Sequence, residues 1–159
     1  MKKLFLIFLL VVLPFSFLVS CKEKENIKTD SFPAAVNIEE NNKELHLFIN
    51  GEEYDVAWED NASVGALISL AEKNEITVKG NLYGNFEQVG AIGQNLPSSD
   101  RRLTTNSGDI MLYSGDKIVV FYGSNTWEYT PLGKIKSKTE AELTALLSAD
   151  SVTIKISYY

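Results

Sequence analysis

The feature that most constrains the fold of this chain is a series of short apolar runs separated by tight-turn residues. Asn50-Gly51 lies between two such runs, and this pair is typical of a type I′ hairpin because both turn residues need a positive φ. Ser114-Gly115-Asp116 likewise separates residues 110–113 from residues 117–122. Because residues 118–122 are apolar without interruption, we predict a central strand that is buried on both faces.

Other segments of β-type composition complete the pattern. Residues 44–49 and 52–58 flank the first turn, and Tyr54, Val56 and Trp58 share one face of the second segment. Glycines interleave with aromatic residues in the middle of the chain, which favours bent strands or bulges. The further predicted strands are residues 76–78 (ending at Gly80), the bent segment 81–93, residues 126–130 (before Pro131) and Ser151–Tyr158.

Two segments show helical signals. Residues 61–73 carry apolar side chains at helical spacing, with Asn61 or Ser63 as the N-cap. Thr139 and Glu142 form a capping-box pattern that opens a short helix ending near Ala149. Many short strands with glycine-rich turns and two short helices predict a mainly β fold, a closed barrel of about eight strands capped by the helices.

Charge and cysteine content narrow the class of protein. The formal net charge is −6, which makes nucleic acid an improbable partner because phosphate repels an acidic chain. The single cysteine, Cys21, leaves no second thiol for a disulfide, so the fold must depend on its core. We predict no metal site and no cofactor: the clusters Glu52-Glu53 and Glu59-Asp60 lack the spacing of known metal motifs, and we interpret them as solvated charges.

The first 21 residues indicate export. Lys2 and Lys3 precede an apolar run that is shorter than the roughly 20 residues a bilayer needs, as in a secretory signal peptide. Leu18-Val19-Ser20-Cys21 resembles the lipobox of bacterial lipoproteins, in which the cysteine becomes the lipidated first residue; the alternative is an ordinary signal peptide with a stray cysteine.

These features predict three regions. Residues 1–20 are a signal peptide, residues 21–42 are the lipidated Cys21 with a flexible tether, and residues 43–159 are the barrel domain. The tether prediction rests on sparse apolar residues without a clear period. We therefore expect a protein of the bacterial cell envelope, exported and held on a membrane by palmitate-type acyl chains at its N-terminus.

Four blocks of the predicted domain carry a family resemblance. Together they resemble a family of small bacterial cyclophilin-like proteins. The blocks are residues 83–90, 96–100, 108–113 and 121–135. The resemblance extends over nearly the whole domain, and it implies an eight-stranded barrel with two helices. The biochemical role of that family is not well defined.

The resemblance does not extend to the catalytic pattern of classical cyclophilins. Those proteins are prolyl isomerases, and their site looks like an arginine beside Phe, Gln, Trp and His residues that shape a proline pocket. The Arg-x-Ile-Pro-type segment is absent here, and the only histidine, His46, falls on the first predicted strand. Arg101 and Arg102, in a predicted loop, are the candidates for a catalytic cation; the alternative is that they form local ion pairs with Asp100 and Asp109.

A group of aromatic and polar residues is the candidate ligand site. Trp127 and Tyr129 share one face of a strand, as do Phe86 and Gln88, and aromatic side chains with a few polar groups suit a small-molecule or peptide pocket. Tyr122 belongs to the same set. The alternative is that these side chains form barrel core.

Three functions follow as hypotheses. The first is a lipid-anchored, extracytoplasmic cyclophilin-like module that binds a peptide or small molecule without catalysis. The second is a weak prolyl isomerase that uses Arg101 or Arg102 with Phe86 and Trp127, which rests on fold analogy. The third is a structural envelope protein whose barrel packs against a neighbour.

Overall fold

The computed structural model of the chain describes residues 43–159. The predicted signal peptide, the lipidation at Cys21 and the predicted tether lie outside the described residues. Neither helix between residues 43 and 159 is long and apolar enough to cross a membrane.

The described part is mainly β, with ten strands and two helices. The elements in chain order are β1 (Leu45–Ile49), β2 (Glu52–Tyr54), β3 (Val56–Trp58), α1 (Ala62–Ala71), β4 (Ile76–Tyr83), β5 (Glu87–Ala91), β6 (Arg101–Thr104), β7 (Asp109–Tyr113), β8 (Lys117–Phe121), β9 (Thr126–Ile135), α2 (Glu140–Leu147) and β10 (Ser151–Tyr158).

Nine of the strands form a nearly closed antiparallel barrel in the order β2-β1-β10-β4-β5-β8-β7-β9-β3. The two ends of this order are neighbours in the chain, because only Asp55 separates β2 from β3. β2 pairs with β1 while β3 pairs with β9, so this bent segment bridges the barrel seam. When β2 and β3 are counted as one bent strand, the barrel has the eight strands that the sequence predicts.

The barrel interior holds the main core. Alternate residues of the last strand point inward, and Val152, Ile154 and Ile156 are almost fully buried. Leu67 of α1 and Leu147 of α2 are also fully buried and belong to the same cluster. The helices thus cover the barrel with their apolar side chains, as the patterns of both segments predict.

The turn predictions are confirmed by the backbone. Asn50 and Gly51 have φ values of 53° and 87°, and they join β1 to β2 with Ile49 opposite Glu52. Ser114 and Gly115 have φ values of 52° and 75° between β7 and β8. Positive φ at both positions matches the right-handed twist of the flanking strands.

The helix starts also agree with the sequence signals. Asn61 is the N-cap of α1, and its Oδ1 accepts a hydrogen bond of 3.0 Å from the Val64 amide. Thr139 and Glu142 form the predicted capping box at the start of α2. Each cap satisfies amide groups that have no partner inside the helix.

Two strands are longer than predicted. β4 continues through Gly80, which we predicted as its end. The glycine allows close packing there, since a Cβ at this position would lie 3.1 Å from Val152 Cγ2. β9 continues through Pro131, where the register with β7 shifts, so that Ile110 faces Gly133 but Met111 faces Pro131. A proline is tolerated within a strand at such a bulge.

The loop prediction for Arg101 and Arg102 is wrong. Both residues lie in β6, which pairs with the first half of β9, Arg101 opposite Tyr129 and Arg102 opposite Glu128. The segment of four residues has one apolar side chain, Leu103, and therefore shows no alternation in the sequence. Only its pairing with β9 makes it a strand.

The glycines of the described domain allow a matched test of packing. A Cβ at Gly90 in β5 would lie 2.2 Å from Val78 Cγ1 and 2.7 Å from the Lys79 carbonyl oxygen, so we expect Gly90→Ala to destabilise the protein by about 2 kcal/mol or more. Gly65 in α1 has open space around that position, so Gly65→Ala should stabilise it by about 0.5–1 kcal/mol through helix propensity. Urea denaturation of both variants measures the two changes, and equal effects would contradict this packing.

Candidate functional site

The outer face of the barrel carries a second apolar cluster, which shares strand β8 with the core. Ile118 and Val120 point into the barrel, whereas Val119 and Phe121 point outward, and all four are buried. We call the outward set of Met111, Val119, Phe121 and Tyr129 the outer cluster. The prediction that β8 is buried on both faces is thereby confirmed.

Tyr129 is the centre of the outer cluster. Its ring packs edge-on against Phe121 and Tyr113, with ring centroids 5.5 and 5.8 Å away. This part of β9 pairs with β6 rather than β7, and Leu103 of β6 also packs on the cluster. The β6–β9 ribbon therefore supplies apolar side chains that the barrel alone would lack.

An open cavity of about 440 Å³ lies beside the outer cluster. We call it the aromatic pocket. Trp127 and Tyr83 are 52 % and 66 % exposed, which is unusual for large aromatic side chains of this domain. The full lining is Tyr83, Glu87, Val89, Tyr113, Lys117, Val119, Asn125, Trp127 and Tyr129.

Glu87 is the one buried acid of the pocket lining. It is 4 % exposed, and its Oε2 has no hydrogen-bond partner among the described residues. Burial disfavours the charged form and raises the pKa of the Glu87 carboxyl to about 7, while the nearby Tyr129 hydroxyl opposes the shift. Glu87 is therefore poised between its neutral and charged forms near neutral pH.

The position of Glu87 depends on the residue before it. A Cβ at Gly84 or at Gly123 would lie 2.3 or 2.7 Å from a Phe86 side-chain atom, so the two glycines make the space for this ring. The Phe86 carbonyl accepts hydrogen bonds from the Tyr122 and Gly123 amides at 2.9 and 3.0 Å. Phe86 is thus anchored in place, and the next residue enters β5 facing the pocket.

The Tyr129 hydroxyl is the second buried polar group beside the pocket. Asn125 donates a hydrogen bond of 3.0 Å to it through Nδ2. Asn125 is itself held by Thr105, whose amide donates to the Asn125 carbonyl and whose Oγ1 accepts from the Asn125 amide. Burial, and then the negative charge of Glu87, raise the pKa of the Tyr129 hydroxyl. Tyr129 therefore remains a neutral hydroxyl at physiological pH.

Lys117 is the only basic residue in the lining of this pocket. Its Nζ lies 2.5 Å from Asp116 Oδ1, and 6.0 Å from the centroid of the Tyr113 ring. The ammonium group is therefore paired with Asp116 rather than with Glu87.

The five residues predicted for ligand binding divide between the two faces of the barrel. Trp127 and Tyr129 line the aromatic pocket, and Phe86 packs against the outer cluster. Gln88 and Tyr122 belong to the interior instead. Gln88 Nε2 donates to the carbonyls of Leu147 and Ala149, both at 2.7 Å, so its amide holds the end of α2.

The two arginines predicted as candidate catalytic cations do not line the aromatic pocket. Arg101 borders a separate groove of about 320 Å³ beside the start of α1, with Pro97, Ser98 and Thr130 among its neighbours. Both arginines are exposed, and neither forms an ion pair with another residue of the described domain. Asp100 instead accepts a hydrogen bond of 2.6 Å from Thr130 Oγ1, and Asp109 pairs with Lys134.

Sequence reasoning missed Glu87. Glu87, Val89 and Ala91 share one face of β5. The available signal was therefore one acidic residue on an otherwise apolar strand face. Such a pattern is equally typical of a solvated strand edge. Only the packing of Tyr129 and Phe121 over this face makes the carboxyl group buried.

The single histidine belongs to a different region. His46 Nδ1 lies 2.6 Å from Glu53 Oε1, and the ring stacks on Tyr159 at 4.1 Å. These contacts agree with a structural interpretation of His46. Within residues 43–159, no three His, Cys, Asp or Glu side chains are grouped so as to hold a metal ion.

The described domain is a mainly β, nearly closed barrel with two helices, and sequence comparison gives its class. A family model described as the cyclophilin-like family matches residues 47–157, which is well over half of the chain. The chain therefore belongs to the cyclophilin-like family. No curated protein matches it.

The raised pKa of Glu87 predicts how stability changes with pH. The folded state holds the Glu87 proton to about pH 7, whereas an ordinary glutamate loses it near 4.5, so the free energy of unfolding should fall as pH rises between these values. Glu87→Gln removes this dependence. We expect the variant to gain about 3 kcal/mol relative to the parent between about pH 4 and pH 8.

Urea denaturation at the two pH values tests this expectation. The matched control is Glu128→Gln, since Glu128 is exposed on β9 and lies outside the pocket lining. An equal pH response in the parent and in Glu87→Gln would show that the carboxyl group is ionised at both pH values or fully solvated.

Proposed function

We propose that this protein is a non-catalytic binding module that holds a peptide or small-molecule ligand in the aromatic pocket. The observation that carries the proposal is the exposure of Trp127, 52 %, in the lining of a cavity that also contains the buried Val119 and Tyr129. Large exposed aromatic side chains beside a concave, partly apolar site are typical of ligand and peptide recognition.

The chemistry of the pocket favours binding over proline isomerisation. No arginine is among its lining residues, and Arg101 borders the separate groove beside α1. Amide isomerisation needs a group that stabilises the twisted amide, and Lys117, the basic residue of this pocket, is already paired with Asp116. A binding role requires no such group.

A panel of short peptides tests the binding proposal. The peptides are acetyl-Ala-Xaa-Ala-amides with each standard amino acid at the central position, and the full chain in a non-ionic detergent is the protein. We expect at least one class to bind with a dissociation constant between about 1 μM and 1 mM, and to shift the indole NMR signal of Trp127. The chain has two tryptophans, so Trp127→Phe assigns that signal.

Two variants locate the binding site by calorimetry. Trp127→Ala should weaken binding about tenfold, since it removes the exposed aromatic wall. Tyr159→Ala is the control, because Tyr159 is 59 % exposed but stacks on His46 and does not line the aromatic pocket. The proposal fails if no peptide of the panel binds, or if both variants bind as the parent does.

We further propose that the protein is anchored to a membrane of the bacterial cell envelope through lipid on Cys21. The support is the sequence Leu18-Val19-Ser20-Cys21 after a basic start and a short apolar run. Two or more acyl chains give firm anchoring, since each buried methylene contributes about 0.8 kcal/mol. An anchored module would meet its ligand outside the cytoplasm.

Metabolic labelling tests the anchor. Cells that express the full chain are grown with a palmitate analogue, and we expect label on the parent protein but none on Cys21→Ser. Ser31→Ala is the control and should keep the label, because it leaves Cys21 and the four preceding residues intact. Label that persists on Cys21→Ser would remove the proposal.

A further inference from the structure

The lining of the aromatic pocket contains a carboxyl group that the described residues satisfy only in part, through the Tyr129 hydroxyl. Glu87 is 96 % buried, and its Oε2 accepts no hydrogen bond from the described residues. A buried carboxyl oxygen without a partner costs free energy of folding, and more so when the group is charged. Glu87 also lines the open cavity, so its carboxyl group is the acidic group available to a ligand bound there.

The neighbouring side chains fit one kind of ligand group. Four aromatic residues line the same cavity as Glu87: Tyr83, Tyr113, Trp127 and Tyr129. Ring faces attract ammonium and guanidinium groups, most strongly at tryptophan and where water is excluded. A carboxylate adds a charge-assisted hydrogen bond to the same group.

We propose that the aromatic pocket binds a cationic side chain of a peptide, an alkylammonium or guanidinium group, with Glu87 as its counter-ion. The inference rests on the proposed function, because it names the ligand chemistry of the same site. Lysine and arginine side chains both have an apolar stem for the ring faces and a charged end for the carboxylate.

No basic side chain of the pocket lining forms an ion pair with Glu87. Lys117 is the only basic residue there, and its ammonium group lies 2.5 Å from Asp116 Oδ1. The carboxylate of Asp116 offsets part of the repulsion that Lys117 would exert on an incoming cation. Its Nζ lies 6.0 Å from the Tyr113 ring centroid, which shows that a positive charge is compatible with the aromatic wall.

The charge of the domain supports the approach of a cation. Residues 43–159 contain ten lysine and arginine residues against sixteen acidic residues, a formal net charge of −6. A net negative domain raises the local concentration of cationic ligands and increases their association rate at low salt.

Binding of a cation at Glu87 should be coupled to the loss of a proton from its carboxyl group. Burial raises the pKa of Glu87 to about 7, so a cation must displace a proton from this carboxyl group below neutral pH. The other ionisable groups of the cavity are Tyr83 on β4, Tyr113 on β7, Lys117 on β8 and Tyr129 on β9, and the pKa of Tyr129 is raised further from neutrality. Affinity for a cation should therefore rise about tenfold from pH 6 to pH 8 and then level.

A pair of peptides isolates the charge. Acetyl-Ala-Lys-Ala-amide is compared with the same peptide carrying norleucine, which keeps the stem but lacks the ammonium group. The proteins are the full chain and its Glu87→Gln variant, and calorimetry at pH 6 and pH 8 measures affinity. We expect the parent to bind the lysine peptide at least tenfold more tightly than the norleucine peptide at pH 8, with no pH dependence for norleucine.

The outcomes separate this inference from the proposed function. Glu87→Gln should abolish both the lysine preference and the pH dependence. If the parent binds both peptides equally at both pH values, the inference is overturned and the binding proposal stands. If neither these peptides nor the panel bind, both fail. Should Glu87→Gln not fold, the pH profile of the parent with the two peptides still decides between these results.

Discussion

The side chains of β8 alternate between two apolar clusters, and the rest of the molecule depends on this double burial. Val120 and its neighbours face the barrel core, while Val119 and Phe121 face the outer cluster. A strand with no solvated face must be central and needs packing partners on both sides. The outer partners are Tyr129 and Met111, and their packing creates the wall on which the aromatic pocket is built.

The same packing explains why Glu87 has a shifted pKa. In the register of β5 with β8, Glu87 lies opposite Phe121, so that its carboxyl group is drawn under the outer cluster rather than into solvent. The protein retains a costly unpaired oxygen there, although an apolar side chain would avoid this cost. The ligand that we propose for this cavity would lie beside this carboxyl group.

The local elements of the fold could be predicted where a residue type has only one good conformation. Asn50-Gly51 determined the first hairpin, and Thr139 with Glu142 determined the start of α2. The predicted strand ends were wrong at glycine and proline, which often end strands but are also found inside them. Gly80 lies within β4 because close packing requires it, and Pro131 lies within β9 because of a bulge. β6 was missed because its pairing with β9 leaves no periodic pattern in the sequence.

The sequence alone determined the fold class, because hairpin turns, helix caps and apolar runs act through neighbouring residues. The export signal stays a prediction. The sequence also indicated Trp127 and Tyr129 as site residues without indicating which face of the barrel they occupy. Tertiary structure decided that Gln88 and Tyr122 turn inward, that Arg101 borders another groove, and that Glu87 is buried. Burial depends on contacts between strands that are distant in the chain, and no local pattern encodes those contacts.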